Sequence, residues 1–287
     1  MKRSSILALT VAALVPLSAC GGGGDPLDAE TSESEGSAED GGSTDDDGST
    51  DDGAAGGGDV GEVVVGSANF PENVLLAEIY AAALSDAGVE VSTTLNIGSR
   101  ETYMAGLEDG SIDLIPEYTG GLATYLNPEI TVTSSEEVLA EAQENLPEGL
   151  QLLQISEAED KDSLVVTSET ADELGLTSIA DLEPHAGDLV LGGPPEFESR
   201  PNGVDGLREV YGLEFAQFRS LSAGATLTVQ SLVNGQVDVA NIFTTDPAIE
   251  ENDLVVLEDP ESLFAAQNVV PLISTEKVNG TVEEALN

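Results

Sequence analysis

The sequence predicts an α/β protein built as two similar lobes, with a ligand cleft between them. Three observations carry this prediction. First, short apolar runs alternate with helical stretches over residues 62–122, the pattern of a parallel sheet covered by helices. Second, the layout recurs. VLGG at 190–193 reopens what VVGS at 64–67 began, and LVNGQVD at 232–238 repeats LEDGSID at 107–113. Gly66 to Gly192 and Gly110 to Gly235 give offsets of 126 and 125 residues. Third, a threonine preceded by an aromatic follows each repeat: Tyr118 and Thr119, then Phe243 and Thr244. The alternative is that any two βαβαβ units share this layout, which still leaves two lobes.

The elements follow in order. A strand over 63–65 stops at Gly66 and Ser67. Pro71 opens a helix whose apolar face is expected to be Val74, Leu75, Ile79, Leu84 and Ala87, with Gly88 at its end. A second strand is expected over 89–97, and a helix from the N-cap Ser99 to Asp109, with Gly110 behind it. A third strand over 112–115 leads Pro116, Glu117, Tyr118 and Thr119 into a loop. Ser134 and Glu137 suggest a capping box on a helix to Leu146. Strands are expected at 152–155 and at 161–167, the latter crossing into the second lobe. Residues 243–246 are expected to lead the chain back, so that strands at 254–257 and 269–273 rejoin the first lobe. The lobes are thus 60–162 with 247–287, and 163–246. Residues 281–284 read as the opening of a helix, which suggests an incomplete C-terminus.

The first 59 residues lie outside this fold. Lys2 and Arg3 precede an apolar core at 6–15, and LSAC ends it at Cys20. That is a secretory signal peptide (1–20) whose end is similar to a bacterial lipobox, making Cys20 the expected lipidated residue and the membrane anchor. The apolar run is too short to span a bilayer comfortably. Residues 21–59 are Gly, Ser, Thr, Ala, Asp and Glu with few apolar groups, the composition of a flexible, disordered tether. With Cys20 the only cysteine, the mature chain has no disulfide.

Composition excludes several function classes. A formal net charge of −47, from 55 acids against 8 Lys and Arg, disfavours nucleic acid as a partner and suits a solvated surface in high salt. The one histidine, His185, is expected in a solvent-facing loop. No His/Cys cluster can hold a metal, and the glycines match no phosphate or dinucleotide motif, so neither an enzyme nor a cofactor is expected. Among so many acids, chance carboxylate pairs carry no weight.

Ligands of such sheets bind beyond the carboxyl ends of the strands. From the first lobe this brings forward Ser67, Asn69, Phe70, Tyr118 and Thr119. From the second it brings forward Arg200, Phe243, Thr244, Thr245 and Asp246. Arg200 can hold a carboxylate through paired hydrogen bonds or form a surface salt bridge. Tyr118 can offer a ring to a cation or pack beneath its loop. Tyr80 and Tyr211 read as core residues, and Tyr103 and Tyr125 have no assignment.

GSANFPE at 66–72, GSRETY at 98–103, GSIDLIPEYTG at 110–120 and FTTD at 243–246 together resemble the substrate-binding proteins of glycine betaine/choline (osmoprotectant) ABC importers. The similarity runs over about 62–273. It implies a type II periplasmic-binding-protein fold, with two lobes joined by two crossover strands and closing by hinge motion. It also implies a small zwitterionic or cationic osmolyte as ligand, an aromatic cage for its ammonium group, ABC permease subunits as partners, and an extracytoplasmic monomer. Tyr118 matches a cage tyrosine and Arg200 a carboxylate-binding arginine. The chain departs from the family at Ala68 and Gly121, and lacks the rings expected near Ser163 and Gln267, so the cage is expected to be short of rings. The alternatives are the same fold binding an amino acid or polar amine, and a surface interaction protein without a transport role.

Overall fold

The computed structural model describes residues 60–222 and 226–287. The expected signal peptide with Cys20, and the whole of the expected tether, lie outside them. Among the described residues no helix is long and apolar enough to cross a membrane.

The first lobe begins β1 (Val63–Gly66), α1 (Pro71–Asp86), β2 (Val91–Thr94), α2 (Arg100–Asp109), β3 (Leu114–Tyr118), α3 (Thr119–Leu126), α4 (Ser135–Glu144) and β4 (Leu150–Leu152). The second contains β5 (Asp162–Thr167), α5 (Ser168–Leu174), β6 (Val190–Gly193), α6 (Val204–Tyr211), β7 (Gln217–Ser220), α7 (Thr226–Val233), β8 (Val239–Phe243), α8 (Ala248–Glu251) and β9 (Leu254–Val256). The chain then returns to the first lobe as β10 (Val269–Ser274) and α9 (Gly280–Leu286).

The two sheets have matching orders, β2-β1-β3-β10-β4 and β7-β6-β8-β5-β9. In each, three parallel strands are joined by an antiparallel strand that lies next to a crossing. The repeated aspartates do the same work in both. Asp113 Oδ2 accepts from the Val64 N–H at 2.8 Å, and Asp238 Oδ2 from the Val190 N–H at 2.8 Å. The repeated glycines match as well. A Cβ on Gly66 would meet Ile112 at 2.7 Å, and one on Gly192 would meet Leu221 at 2.8 Å and Val237 at 3.0 Å.

Strand alternation splits each lobe's core between the two sheet faces. Val63, Val65, Leu114 and Ile273 face Ala77, Ala81, Leu84 and Val282, whereas Ile115 and Leu272 face Met104, Leu107, Leu122 and Val138. In the second lobe Leu164, Val166, Leu191 and Val239 lie in one cluster, and Val165, Ala240 and Ile242 in the other.

Several expectations need correction. The buried face of α1 is Asn73, Ala77, Ala81 and Leu84, while Leu75 and Ile79 are 60% and 50% exposed. Asn73 sets this rotation. Its Oδ1 accepts from the Ala68 N–H at 2.7 Å, its Nδ2 donates to the Pro116 carbonyl at 2.8 Å, and the small alanines let the helix sit close to the sheet. The second strand is short because Asn96 is left-handed at φ 56°. The third runs on to Tyr118 because β10 pairs with it that far. Pro116 and Pro271 face each other there without interrupting the β3–β10 ladder, since their carbonyls point away from each other, to Asn73 Nδ2 and to the Leu153 N–H. At α4 there is no capping box, because the Ser134 hydroxyl donates to Glu137 Oε2 at 2.5 Å instead of capping the backbone. His185 is half-buried.

The largest correction concerns the return. Residues 254–256 belong to the second sheet, where β9 pairs antiparallel with β5, and residues 243–246 lead into α8 of the same lobe. The chain crosses back only between β9 and β10. This return segment runs antiparallel to the outgoing one between β4 and β5. The Asp160 N–H donates to the Gln267 carbonyl at 3.1 Å, and the Val269 N–H to the Ala158 carbonyl at 3.0 Å.

Replacing Asp238 by alanine strips the Val190 amide of its charged acceptor. Urea denaturation should show a loss of about 1–3 kcal/mol.

Candidate functional site

A cavity of about 260 Å³ lies where the carboxyl ends of β1, β3, β6 and β8 converge, with walls from both lobes. That is near the lower end of small-molecule sites, which run to ~300–1,000 Å³. Of the expected residues, Asn69, Phe70, Tyr118, Arg200 and Phe243 line it. Phe70 is central to the rings. Its centroid lies 5.9 Å from that of Tyr118 and 5.0 Å from that of Phe243, so one aromatic cluster spans the two lobes.

The other five expected residues lie elsewhere. Ser67 is fully buried and its Oγ accepts from the Asn96 N–H, holding the turn after β2. Thr119 is fully buried and ties α3 to the return crossing through Ala266 and Asn268. Thr244 pairs with the backbone of Lys161 at the outgoing crossing. Thr245 and Asp246 open on a second cavity, of about 630 Å³, on whose border Phe70 and Phe243 also stand.

The structure adds residues that the sequence left without a role. Arg100, in the first turn of α2, lines the cavity and forms a forked pair with Glu117 of β3, Nε to Oε2 at 2.9 Å and Nη2 to Oε1 at 3.1 Å. The Tyr103 hydroxyl donates to the same carboxylate. Glu117 is fully buried and the Arg100 side chain is 11% exposed. Burial works against the guanidinium's charge, but the Glu117 carboxylate outweighs it and holds Arg100 protonated. Burial likewise raises the Tyr103 phenol well above its usual range.

Gly121 explains how Arg100 fits. A Cβ there would come within 2.6 Å of Nη2, so the missing side chain leaves room for the guanidinium. Tyr103 and Tyr125 both line the cavity, which makes it richer in rings than the sequence reading implied. At the expected ring positions, Gln267 lines the cavity and accepts from the Gly121 N–H at 2.7 Å. Ser163 is buried in the sheet and donates to the Ile242 carbonyl.

Besides the rings, two polar contacts among the described residues join the lobes across the cleft. Arg200 meets Glu101 of α2 at 3.2–3.3 Å. Burial alone would raise the Glu101 pKa, but the Ser99 hydroxyl and Arg200 hold it below the usual value. Near the hinge, Glu72 accepts from the Tyr118 hydroxyl at 2.7 Å and the Thr245 hydroxyl at 2.5 Å. Burial and the Glu72 carboxylate keep Tyr118 protonated. Asp160 of the outgoing crossing accepts from the Thr245 N–H at 3.2 Å, and burial followed by the Glu72 charge raises its pKa to about 7.

Comparison with known proteins agrees with this architecture. Residues 61–287 match the family model described as the substrate binding domain of ABC-type glycine betaine transport system. The chain belongs to this family. It is 30% identical to the glycine-betaine-binding protein of Pseudomonas aeruginosa over 78% of this chain and 75% of that one. It is 23% identical to the glycine betaine-binding protein YehZ of Escherichia coli, over 74% and 73%. Among solved structures, a glycine betaine/carnitine/choline ABC transporter protein superposes with TM-score 0.62 at 21% identity, covering 78% of this chain and 85% of that one. This supports the type II periplasmic-binding-protein fold. Members of the family are substrate-binding proteins of ABC transporters, not enzymes.

The Asp160 shift has a definite sign. A carboxyl whose folded pKa is about 7, against an ordinary 3.8, takes up a proton on folding between those values. Its contribution therefore falls as pH rises from 3.8 to about 7 and is level above that. Thermal melts across this window should show Asp160→Asn gaining on the parent chain as pH rises.

Proposed function

We propose that the chain is the extracytoplasmic receptor of an ABC importer for quaternary-ammonium osmolytes of the glycine betaine/choline type, delivering them to the permease. The observation that carries this reading is the ring cluster of Phe70, Tyr118 and Phe243 at the junction of the two lobes. A methylated ammonium has no N–H to donate, and attraction to aromatic faces in a water-poor cavity substitutes for hydrogen bonds. Because Phe70 and Tyr118 come from one lobe and Phe243 from the other, the rings are brought together only when the lobes meet. Ligand would thus stabilise the closed form, the state that a permease could distinguish from the empty receptor. Membrane attachment through a lipid on Cys20 and a monomeric state belong to the same reading. The anchor rests on the LSAC pattern at 17–20.

Calorimetric titration with glycine betaine, choline and carnitine, beside unmethylated amino acids, tests the proposal. At least one trimethylammonium compound should bind. Tyr118→Ala and Phe243→Ala should each weaken it by roughly 3- to 30-fold, the range expected for one cation–ring contact. Binding confined to unmethylated solutes, or unaffected by either substitution, overturns the proposal.

A further inference from the structure

We infer that the cleft is built for an organic cation without a carboxylate, a choline-type ligand, in preference to a zwitterion such as glycine betaine. This rests on the proposed reading of the cleft as a quaternary-ammonium site and specifies the charge of its ligand. A zwitterion needs two complementary regions: rings and acids for its ammonium, and free donors for its carboxylate. The first is present. The second is already occupied by the chain's own acids.

Both arginines that line the cavity are committed. Arg100 is held in a two-point fork by Glu117, which takes its Nε–Nη2 edge and balances its charge, so its remaining N–H groups carry no net positive charge to a second carboxylate. Arg200 reaches across the cleft to both oxygens of Glu101. The starts of α1 and α2, which favour negative charge, carry Glu72 and Glu101 in their first turns. Glu101 thus stands where a ligand's carboxylate would be expected, on Arg200 and beside a helix start.

The converse holds for the acids. Asp162, at the start of β5, lines the cavity, yet its partners are neutral amides: Asn241 Nδ2 at 3.0 Å and Asn202 Nδ2 at 3.4 Å. Among the described residues no Lys or Arg forms an ion pair with it. Glu196 also lines the wall, and Asp160 borders it from the hinge. Burial raises the Asp162 pKa, and the Asn241 amide with the more distant charges of Arg200 and Arg100 offsets it only in part. A bound cation supplies the missing charge, and the ring cluster supplies a surface for its methyl groups.

Titration of the purified protein with choline and glycine betaine at one fixed ionic strength tests the inference. Choline should bind at least about tenfold tighter, the ratio that corresponds to one modest uncompensated charge interaction. Glu101→Gln, which frees Arg200, should raise glycine betaine affinity by about tenfold and close the gap. Asp162→Asn keeps the acceptor for Asn241 while removing the charge, and should weaken choline by about tenfold with glycine betaine little changed. Equal or tighter binding of glycine betaine by the parent chain overturns this inference and leaves the proposed function standing. So does an Asp162→Asn effect of the same size on both ligands. Failure to bind choline, glycine betaine or any other trimethylammonium compound overturns both.

Discussion

Pairing between β3 and β10 is the constraint on which the rest of this structure depends. The first lobe's sheet is unfinished until the chain has passed through the second lobe and returned, because β10 fills the gap between β3 and β4. That late strand carries β3 on past Ile115, so that Pro116, Glu117 and Tyr118 are held in regular structure and not in a loop. The cavity's anchor, Glu117, and its central tyrosine therefore sit on rigid backbone, which suits a site that must hold a small ligand in one geometry. The second lobe uses the same plan, with β5 beside β8 ending at Phe243.

This topology also lays the two crossings side by side. The two crossings are antiparallel and hydrogen-bonded to each other, so rotation of one lobe against the other bends both together. Glu72 lies on the first lobe, Thr245 on the second, and Asp160 on the outgoing crossing, so two carboxylates share one partly dry network where the lobes meet. At the other side of the cleft, Arg200 and Glu101 join only when the lobes meet. That exposed pair adds little stability by itself, and its consequence lies in which ligand charges it leaves room for.

The surface charge and the cleft obey different physics. Most of the acids among the described residues are exposed, where water and salt screen them. The few inside the cavity have low-dielectric walls, so each choice of partner there changes ligand preference. Arg100 with Glu117 is neutral as a unit, Arg200 with Glu101 likewise, and Asp162 has side-chain amides as its hydrogen-bond partners.

Much of the plan was legible in the chain. Alternating apolar runs and glycine-bounded turns encode βα units locally, and the repeat at 107–113 and 232–238 implies two equivalent lobes, because sequence periodicity records backbone geometry. Phe70, Tyr118, Phe243 and Arg200 could be placed at a cleft because strand ends are where such sheets present their ligands. Three kinds of information were not local. Which strand completes which sheet depends on pairing between segments far apart, so β9 could be assigned correctly only from its hydrogen bonds to β5. Which face of α1 is buried was decided by Asn73 bonding to two distant backbone groups, against the pull of Leu75 and Ile79. And the charge balance of the site was decided in three dimensions, since a fork from Arg100 to Glu117 or a contact from Arg200 to Glu101 is a matter of angle and distance between elements. Sequence supplied the side chains and the periods; only the assembled lobes determined which charges meet.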